Sequence, residues 1–250
     1  MAVSMEQQLQ ERIAELEAEL ANRTREAAAK EQQLERYAAD LRETFKEERA
    51  RAQELRESYM LTVRALASAV EARDAYTGRH AERVAAYGMR LADAYGMRLS
   101  DAPEIEFGFL LHDAGKVAVP DAILFKPGRL TPAERLIIEQ HPVTGSEIVR
   151  DIAFLGTARD VIRHHHERWD GSGYPDKLAG EEIPISARIF AVADTLDALT
   201  TNRPYRRAST IAQARVIILQ GKGTHFDPDV IDAFKNLTDE QIERIRLEIG

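Results

Sequence analysis

Over the first 58 residues apolar positions recur at alternating steps of four and three: Leu9, Ile13, Leu16 and Leu20. Weaker positions follow at Ala27, Leu34, Tyr37 and Leu41; a four-residue step then reaches Phe45, and the seam continues through Ala52, Leu55, Tyr59 and Leu66. This is a heptad pattern with one stutter. Neither Gly nor Pro occurs from about residue 6 to 58, so the pattern predicts a single unbroken helix. So narrow a stripe cannot be buried by the helix that carries it. Two outcomes fit: a parallel two-stranded coiled coil, hence a homodimer, or one solvated helix held by Glu–Arg pairs at helical spacing. Arg23 and Lys30 dilute the seam, but its regularity favours the coiled coil.

No breaker follows before Tyr76, so the helix is expected to run into the next region. The expected division is a coiled-coil dimerisation helix over 1–58 and a compact domain over 59–250. Thr77-Gly78 interrupts the helix, and His80 opens an amphipathic segment with Val84, Tyr87 and Leu91 on one face. Asp101 is placed to cap a helix starting near Pro103. That helix is apolar nearly all round until it meets His112-Asp113. Pro127-Gly128 reads as a turn, and Thr131-Pro-Ala-Glu134 as a capping box opening a helix that stops at His141-Pro142. Residues 145–155 and 157–165 read as two more helical stretches. After a Gly/Pro-rich loop at 170–184, Ile185–Thr200 is an apolar helix interrupted by Asp194 and Asp197. Two amphipathic segments, 208–220 and 228–236, precede a short last one opened by Thr238. No sustained period-two pattern occurs anywhere. The predicted fold is all-α: a long N-terminal helix running into a compact helical bundle.

Composition narrows the function. With 44% hydrophobic and 30% charged residues the chain is globular, and its net charge of −8 argues against a nucleic-acid polymer as partner. There is no cysteine, which excludes disulfides, thiolate metal sites and a Cys nucleophile. No basic-then-apolar leader and no apolar run of ~20 residues is present, so no membrane span is expected and the cytoplasm is the default location.

The candidate chemistry lies in the histidines. Of seven, none is in the heptad region, and six fall at predicted helix ends or beside breakers: His80, His112, His141 and the run His164-His165-His166. That run opens HHHERWDGSGYP, in which the glycines and Pro175 forbid an ordinary helix. Asp113 and Asp194 stand where apolar residues are expected, and a buried carboxylate must be paired or bind metal. A neutral, hydrogen-bonded His–Asp core pair is the plain reading of any single pair. Six histidines at helix ends with two buried acids point instead to a metal centre, of a ligand class suited to iron, manganese or zinc.

His112-Asp113-Ala-Gly-Lys116 resembles the HD signature of metal-dependent phosphohydrolases. With Gly173-Tyr174-Pro175 the chain is similar to the HD-GYP family of cyclic di-GMP phosphodiesterases. The resemblance runs from about residue 62 to 236, through YTGRHAERV, LLHDAGKVAVPDAILFKPG, HP at 141–142, HHERWDGSGYP, ARIFAVADTLDALT, NRPYR and FDPDV. It implies a helical bundle holding two, sometimes three, divalent metals, iron or manganese above all. The ligands it implies are His80, His112, Asp113, His141, His165, His166 and Asp194, with Asp113 bridging. His164 falls outside that set, and His225 is read as structural.

Two metals about 3.5–4 Å apart acidify a bridging water and polarise phosphoryl oxygens for in-line attack. Lys116, one turn from His112-Asp113, can face the same site and offset phosphate charge; a lysine snorkelling from the helix end is the alternative. The resemblance assigns Arg203 and Arg206 to the substrate phosphate, which guanidinium forks suit, against a solvated basic turn. Tyr174 is read as a contact to ligand or partner, and Asp197 as a second carboxylate supporting the site or bonding the next loop. Tyr76 stands where three-metal members carry a Glu, which favours two metals and linear pGpG as main product. Ala114, Ala118 and Lys177 also depart from the family pattern. The implied activity is cyclic di-GMP hydrolysis. Alternatives are a silent nucleotide- or partner-sensing module, and an HD phosphohydrolase for another cyclic dinucleotide such as cyclic GMP-AMP. A coiled coil of this kind often joins an output domain to a sensory or receiver module, so such a module is a further expected partner.

Overall fold

A computed structural model describes residues 5–73, 79–99, 102, 104–202 and 207–249. The expected break at Thr77-Gly78, the cap at Asp101 and helix start at Pro103, and Tyr76, Arg203 and Arg206 lie outside the described residues. The helices are α1 (Met5–Glu71), α2 (His80–Tyr95), α3 (Ile105–Leu111), α4 (Asp121–Leu124), α5 (Pro132–Ile138), α6 (His141–Ile148), α7 (Ala158–His164), α8 (Ile185–Thr200), α9 (Ile211–Gln220), α10 (Pro228–Phe234) and α11 (Asp239–Ile249). Short 3₁₀ turns cover Ala114–Ala118, Ala153–Leu155 and Gly180–Glu182. The fold is all-α, as the periodicity predicts. Among the described residues no strand forms, only an isolated bridge between Lys222 and Phe226, and no helix is long and apolar enough to cross a membrane.

The chain divides into two units, Met1–Ser58 and Tyr59–Gly250. In the first, α1 is exposed along nearly all its length, and Leu9, Ile13, Leu16, Leu20, Leu34 and Phe45 have no cover among the described residues. Exposed pairs such as Arg12–Glu15 and Arg23–Glu19, each 2.8 Å, run along it. Such pairs contribute about 0.3–0.5 kcal/mol each.

The second unit is built on α8, whose Ile189, Phe190, Val192, Ala193 and Leu196 are buried. Helix α2 packs on α8 and α3, α3 and α6 pack on α7, and α10 and α11 close over α2. Local sequence sets the boundaries. Gly96, at φ 90, ends α2 in the left-handed conformation that glycine adopts without strain. Thr131 and Glu134 form the predicted capping box of α5, and Thr210 with Gln213 forms another at α9.

Three boundaries differ from expectation. The helix opened by Thr131 ends at Ile138, and His141-Pro142 starts α6 instead of stopping α5; proline is at home in a first turn, where its missing N–H costs nothing. The stretch expected over 145–155 is the end of α6, a turn and a 3₁₀ turn. The last helix has 11 residues and is not short.

One close approach positions the site. The Ala114–Ala118 turn lies against α6. A Cβ on Gly115 would run into the His141 carbonyl oxygen and come within 2.5 Å of the Gly145 nitrogen. Both are backbone atoms that cannot swing aside. Gly115→Ala is therefore expected to push the turn and α6 apart and cost about 1–3 kcal/mol. Thermal and denaturant unfolding would check this; a midpoint equal to the parent's would contradict the contact.

Candidate metal centre

Helix ends deliver the histidines. His112 is the C-terminal cap of α3 and His165 that of α7, while His141 lies three residues beyond Ile138, the last residue of α5. Carbonyls at a helix C-terminus have no intrahelical donor. Each histidine uses one: His112 Nδ1 lies 2.9 Å from the Phe109 oxygen, His141 Nδ1 2.6 Å from that of Ile138, and His165 Nδ1 2.9 Å from that of Ile162. A carbonyl only accepts, so in all three rings Nδ1 carries the proton and Nε2 offers a lone pair inward.

The Nε2 atoms meet there. Those of His141 and His165 stand 3.2 Å apart, two lone pairs facing each other with no proton to share. Ligand atoms of His141, His165 and His166 lie within 4.8 Å of one another, as do those of His80, His112 and Asp194. Asp113 spans the two groups: its Oδ2 is 3.1 Å from His112 Nε2 and its Oδ1 3.3 Å from His141 Nε2. Facing lone pairs and a carboxylate between two ligand groups fit divalent cations in donor chemistry.

Phe190 forms the apolar floor, its ring centroid 4.7 Å from that of His112 and 5.7 Å from that of His165. From α2, His80 and Arg83 share a face and grip Asp197 of α8. His80 Nδ1 lies 2.8 Å from Asp197 Oδ2, and Arg83 Nε 2.6 Å from Oδ1. That leaves His80 Nε2 directed at Asp194, 3.5 Å away.

Charge is balanced inside this cluster. Burial alone would raise the Asp113 carboxyl, but the Lys116 ammonium, 2.7 Å from Oδ2, outweighs it and holds it well below the ordinary range. Asp197 is likewise held low, because hydrogen bonds from His80 and Arg83 overcome its burial. Burial opposes charge on His80, yet the Asp197 hydrogen bond and the nearby carboxylates raise its pKa.

The polar wall of a cavity of about 260 Å³ is formed by His80, His112, Asp113, Lys116, His166 and Asp194, with Val70 and Leu111 among its apolar lining. His141 and His165 lie beside these groups, buried. Tyr174 packs its ring 4.7 Å from His166. A Cβ on Gly173 would meet the backbone of His166, Glu167 and Arg168 at 2.5–2.6 Å, so only glycine lets this loop lie so close. The seven expected ligands thus converge, with Lys116 and Tyr174 beside them, and Lys116 is already paired to Asp113.

His164 turns away, its Nδ1 3.4 Å from Asp176 Oδ2. It forms a third His/carboxylate group with Glu167 and Asp176. There Arg163 already holds Asp176 with bonds of 2.7 and 2.8 Å, and Glu167 accepts the Asp176 backbone N–H at 2.7 Å. Residues missed from sequence are Arg83, Glu167 and Glu71, whose carboxylate takes the Ala81 N–H at the start of α2. For Arg83 a signal existed: it stands one turn after His80.

The HD domain family matches residues 64–230. The chain belongs to that family, on the HD-GYP branch that His112-Asp113 and Gly173-Tyr174-Pro175 mark. A 3'3'-cGAMP-specific phosphodiesterase 2 of Vibrio cholerae is 43% identical over 191 residues, covering 76% of this chain and 37% of that protein. A cyclic di-GMP phosphodiesterase of Thermotoga maritima is 42% identical over 180 residues, covering 71% of this chain and 49% of that one. The chain thus spans less than half the length of either relative. Among solved structures, an HDG"Y"P protein from Bdellovibrio bacteriovorus superposes with a TM-score of 0.54 at 20% identity, over 72% of this chain and 63% of that one, a likeness of fold.

Burial pushes the His166 imidazole down to about 3. In an unfolded chain a histidine titrates near ~6.5. Between those values the unfolded state binds a proton that the folded state refuses. This contribution to the stability of metal-stripped protein is therefore complete above about pH 6.5 and is lost as pH falls toward about 3. His80, raised, works in the opposite direction. His166→Gln is expected to flatten the loss of stability between about pH 7 and pH 5, by at most ~1.4 kcal/mol per pH unit. Urea titrations of stripped parent and variant would show it; parallel losses would mean that His166 is not held neutral.

Proposed function

We propose that this protein hydrolyses cyclic di-GMP to linear pGpG at the His/Asp centre, with the seven converging residues as ligands of two iron or manganese ions. The observation that carries the reading is Asp113, a half-buried carboxylate at the cavity wall, held ionised with one oxygen toward each histidine group. Metal ions held there supply Lewis acidity and an acidified water for in-line displacement at phosphorus. Water's oxygen joins phosphorus, the bond to one 3′ oxygen breaks, and that oxygen departs as a hydroxyl.

The chain's own residues prepare this step. Backbone carbonyls lock three imidazoles in the ligating tautomer, and Asp197 does the same for His80. The Lys116 ammonium at the cavity wall offsets charge gathering on the phosphoryl oxygens. Tyr174 covers His166 and limits access of bulk water. A cavity of about 260 Å³ lies below the ~300–1,000 Å³ usual for a small-molecule pocket. It admits one phosphodiester, while the bases lie outside. Arg203 and Arg206 are assigned to the substrate phosphate on the family resemblance. The location is cytoplasmic, the coiled coil of residues 1–58 makes the protein a homodimer, and an upstream sensory or receiver module supplies its input.

Cyclic GMP-AMP is a second substrate to be weighed, because a relative at 43% identity is named specific for it. Both nucleotides present the same phosphodiester to the same wall.

Protein loaded anaerobically with iron or manganese is expected to convert cyclic di-GMP to accumulating pGpG. Asp113→Ala is expected to lower kcat/KM by on the order of 10³-fold, ~4 kcal/mol of barrier, with helicity retained and metal content reduced. Parallel assays with cyclic GMP-AMP decide the substrate. Undiminished turnover by Asp113→Ala would remove the mechanism.

A further inference from the structure

The end of α1 within the second unit carries two apolar faces. Val63 and Ala67, 1% and 5% exposed, are buried in the bundle. Thr62, Leu66 and Ala69 instead continue the heptad steps of three and four that run through Leu55 and Tyr59. These seam residues form one wall of a second cavity of about 280 Å³, opposite Val117 and Ile148. The mouth is apolar: Leu66, Val117 and Ile148 are 50%, 44% and 50% exposed. Arg64, on the neighbouring face, reaches Glu106 at 3.8 Å, so its charge is balanced away from the seam.

A seam position lining a groove identifies what fills it. In a parallel, in-register coiled coil like positions of two chains face each other. The residue brought to Leu66 is therefore the partner's Leu66. We infer that the apolar groove between the last turns of α1, the Ala114–Ala118 turn and the end of α6 seats α1 of a second copy, the partner's Leu66 lying against Val117 and Ile148. This rests on the coiled-coil reading and extends it from the N-terminal helix into the HD domain. Val70, Leu111 and Ala114 line both this groove and the metal cavity, so the dimer contact and the site share a wall.

The chain has no cysteine, so single introduced thiols report contacts without background. Leu20→Cys and Leu66→Cys, each in the full chain, are both expected to form an interchain disulfide under mild oxidation, since facing seam positions fall within disulfide reach. Adding Ile148→Asp, at a half-exposed position, is expected to slow the Leu66→Cys crosslink at least ~10-fold through loss of the apolar seat and to leave the Leu20→Cys crosslink intact. Retention of the latter shows that the variant folds and dimerises. A crosslink at Leu20→Cys without one at Leu66→Cys would keep the coiled coil and overturn the groove as its continuation, leaving the groove to another occupant. A Leu66→Cys crosslink indifferent to Ile148→Asp would also overturn it. No crosslink at either position, with a monomer in sedimentation, would remove the coiled coil and this inference together.

Discussion

An imidazole is a fixed ligand only when its other nitrogen is committed, and here that commitment comes from the ends of helices. Carbonyls in a last helical turn have lost their intrahelical donors. The oxygens of Phe109, Ile138 and Ile162 are such acceptors, and each takes the Nδ1–H of a histidine three residues on. At Ile138 the arrangement is enforced by covalent chemistry. The residue four further on is Pro142, which has no N–H to give, so His141 is the donor within reach. One interaction, repeated three times, both satisfies a helix end and aims a lone pair. The partial negative charge of a helix C-terminus also favours a cation beyond it.

Everything else in the centre follows from having drawn those lone pairs together. Neutral imidazoles facing at 3.2 Å have nothing to bond to among themselves, and burial keeps His165 and His166 from solving the problem by protonation. Asp113 can stay ionised beside them because Lys116 supplies the opposing charge. The same logic recurs one layer out. Asp197 is buried at 1% exposure and tolerated because Arg83 closes a fork on it. Removing Arg83 would leave this buried carboxylate with the His80 bond but without its guanidinium fork, a change costing up to about 3–5 kcal/mol.

Much of this was legible in the sequence, for identifiable reasons. An acid within an apolar run, as at Asp113 and Asp194, announces itself because burial without a partner is so costly; the structure leaves both half-buried at the cavity wall instead of in the core. Histidines beside Gly and Pro stand out because breakers mark where helices end. The carbonyl partners had no such mark, since every residue carries one and which are left over depends on where the helix stops. At α5 that boundary falls earlier than the pattern implies, because Pro142 sits in the first turn of α6 instead of ending α5. Glu71 was hidden because it acts on a backbone N–H ten residues on, at the start of another helix. Lys116 lies at the cavity wall, but its pairing with Asp113 depends on the geometry of a 3₁₀ turn that spacing alone does not give.

Helix α1 enters the chemistry only through its last turns, and there it touches the site in two ways. Val70 and Ala67 form part of the cavity wall, and the Glu71 carboxylate accepts the Ala81 N–H, one residue after His80. A tight interior has no slack to absorb a displacement. A turn or shift of α1 at Val70 therefore presses on Leu111 and Ala114, which bracket His112 and Asp113, and through Glu71 on the start of α2, which carries His80. The helix that ends at the cavity wall already bears on a member of one histidine group and on the carboxylate that joins both.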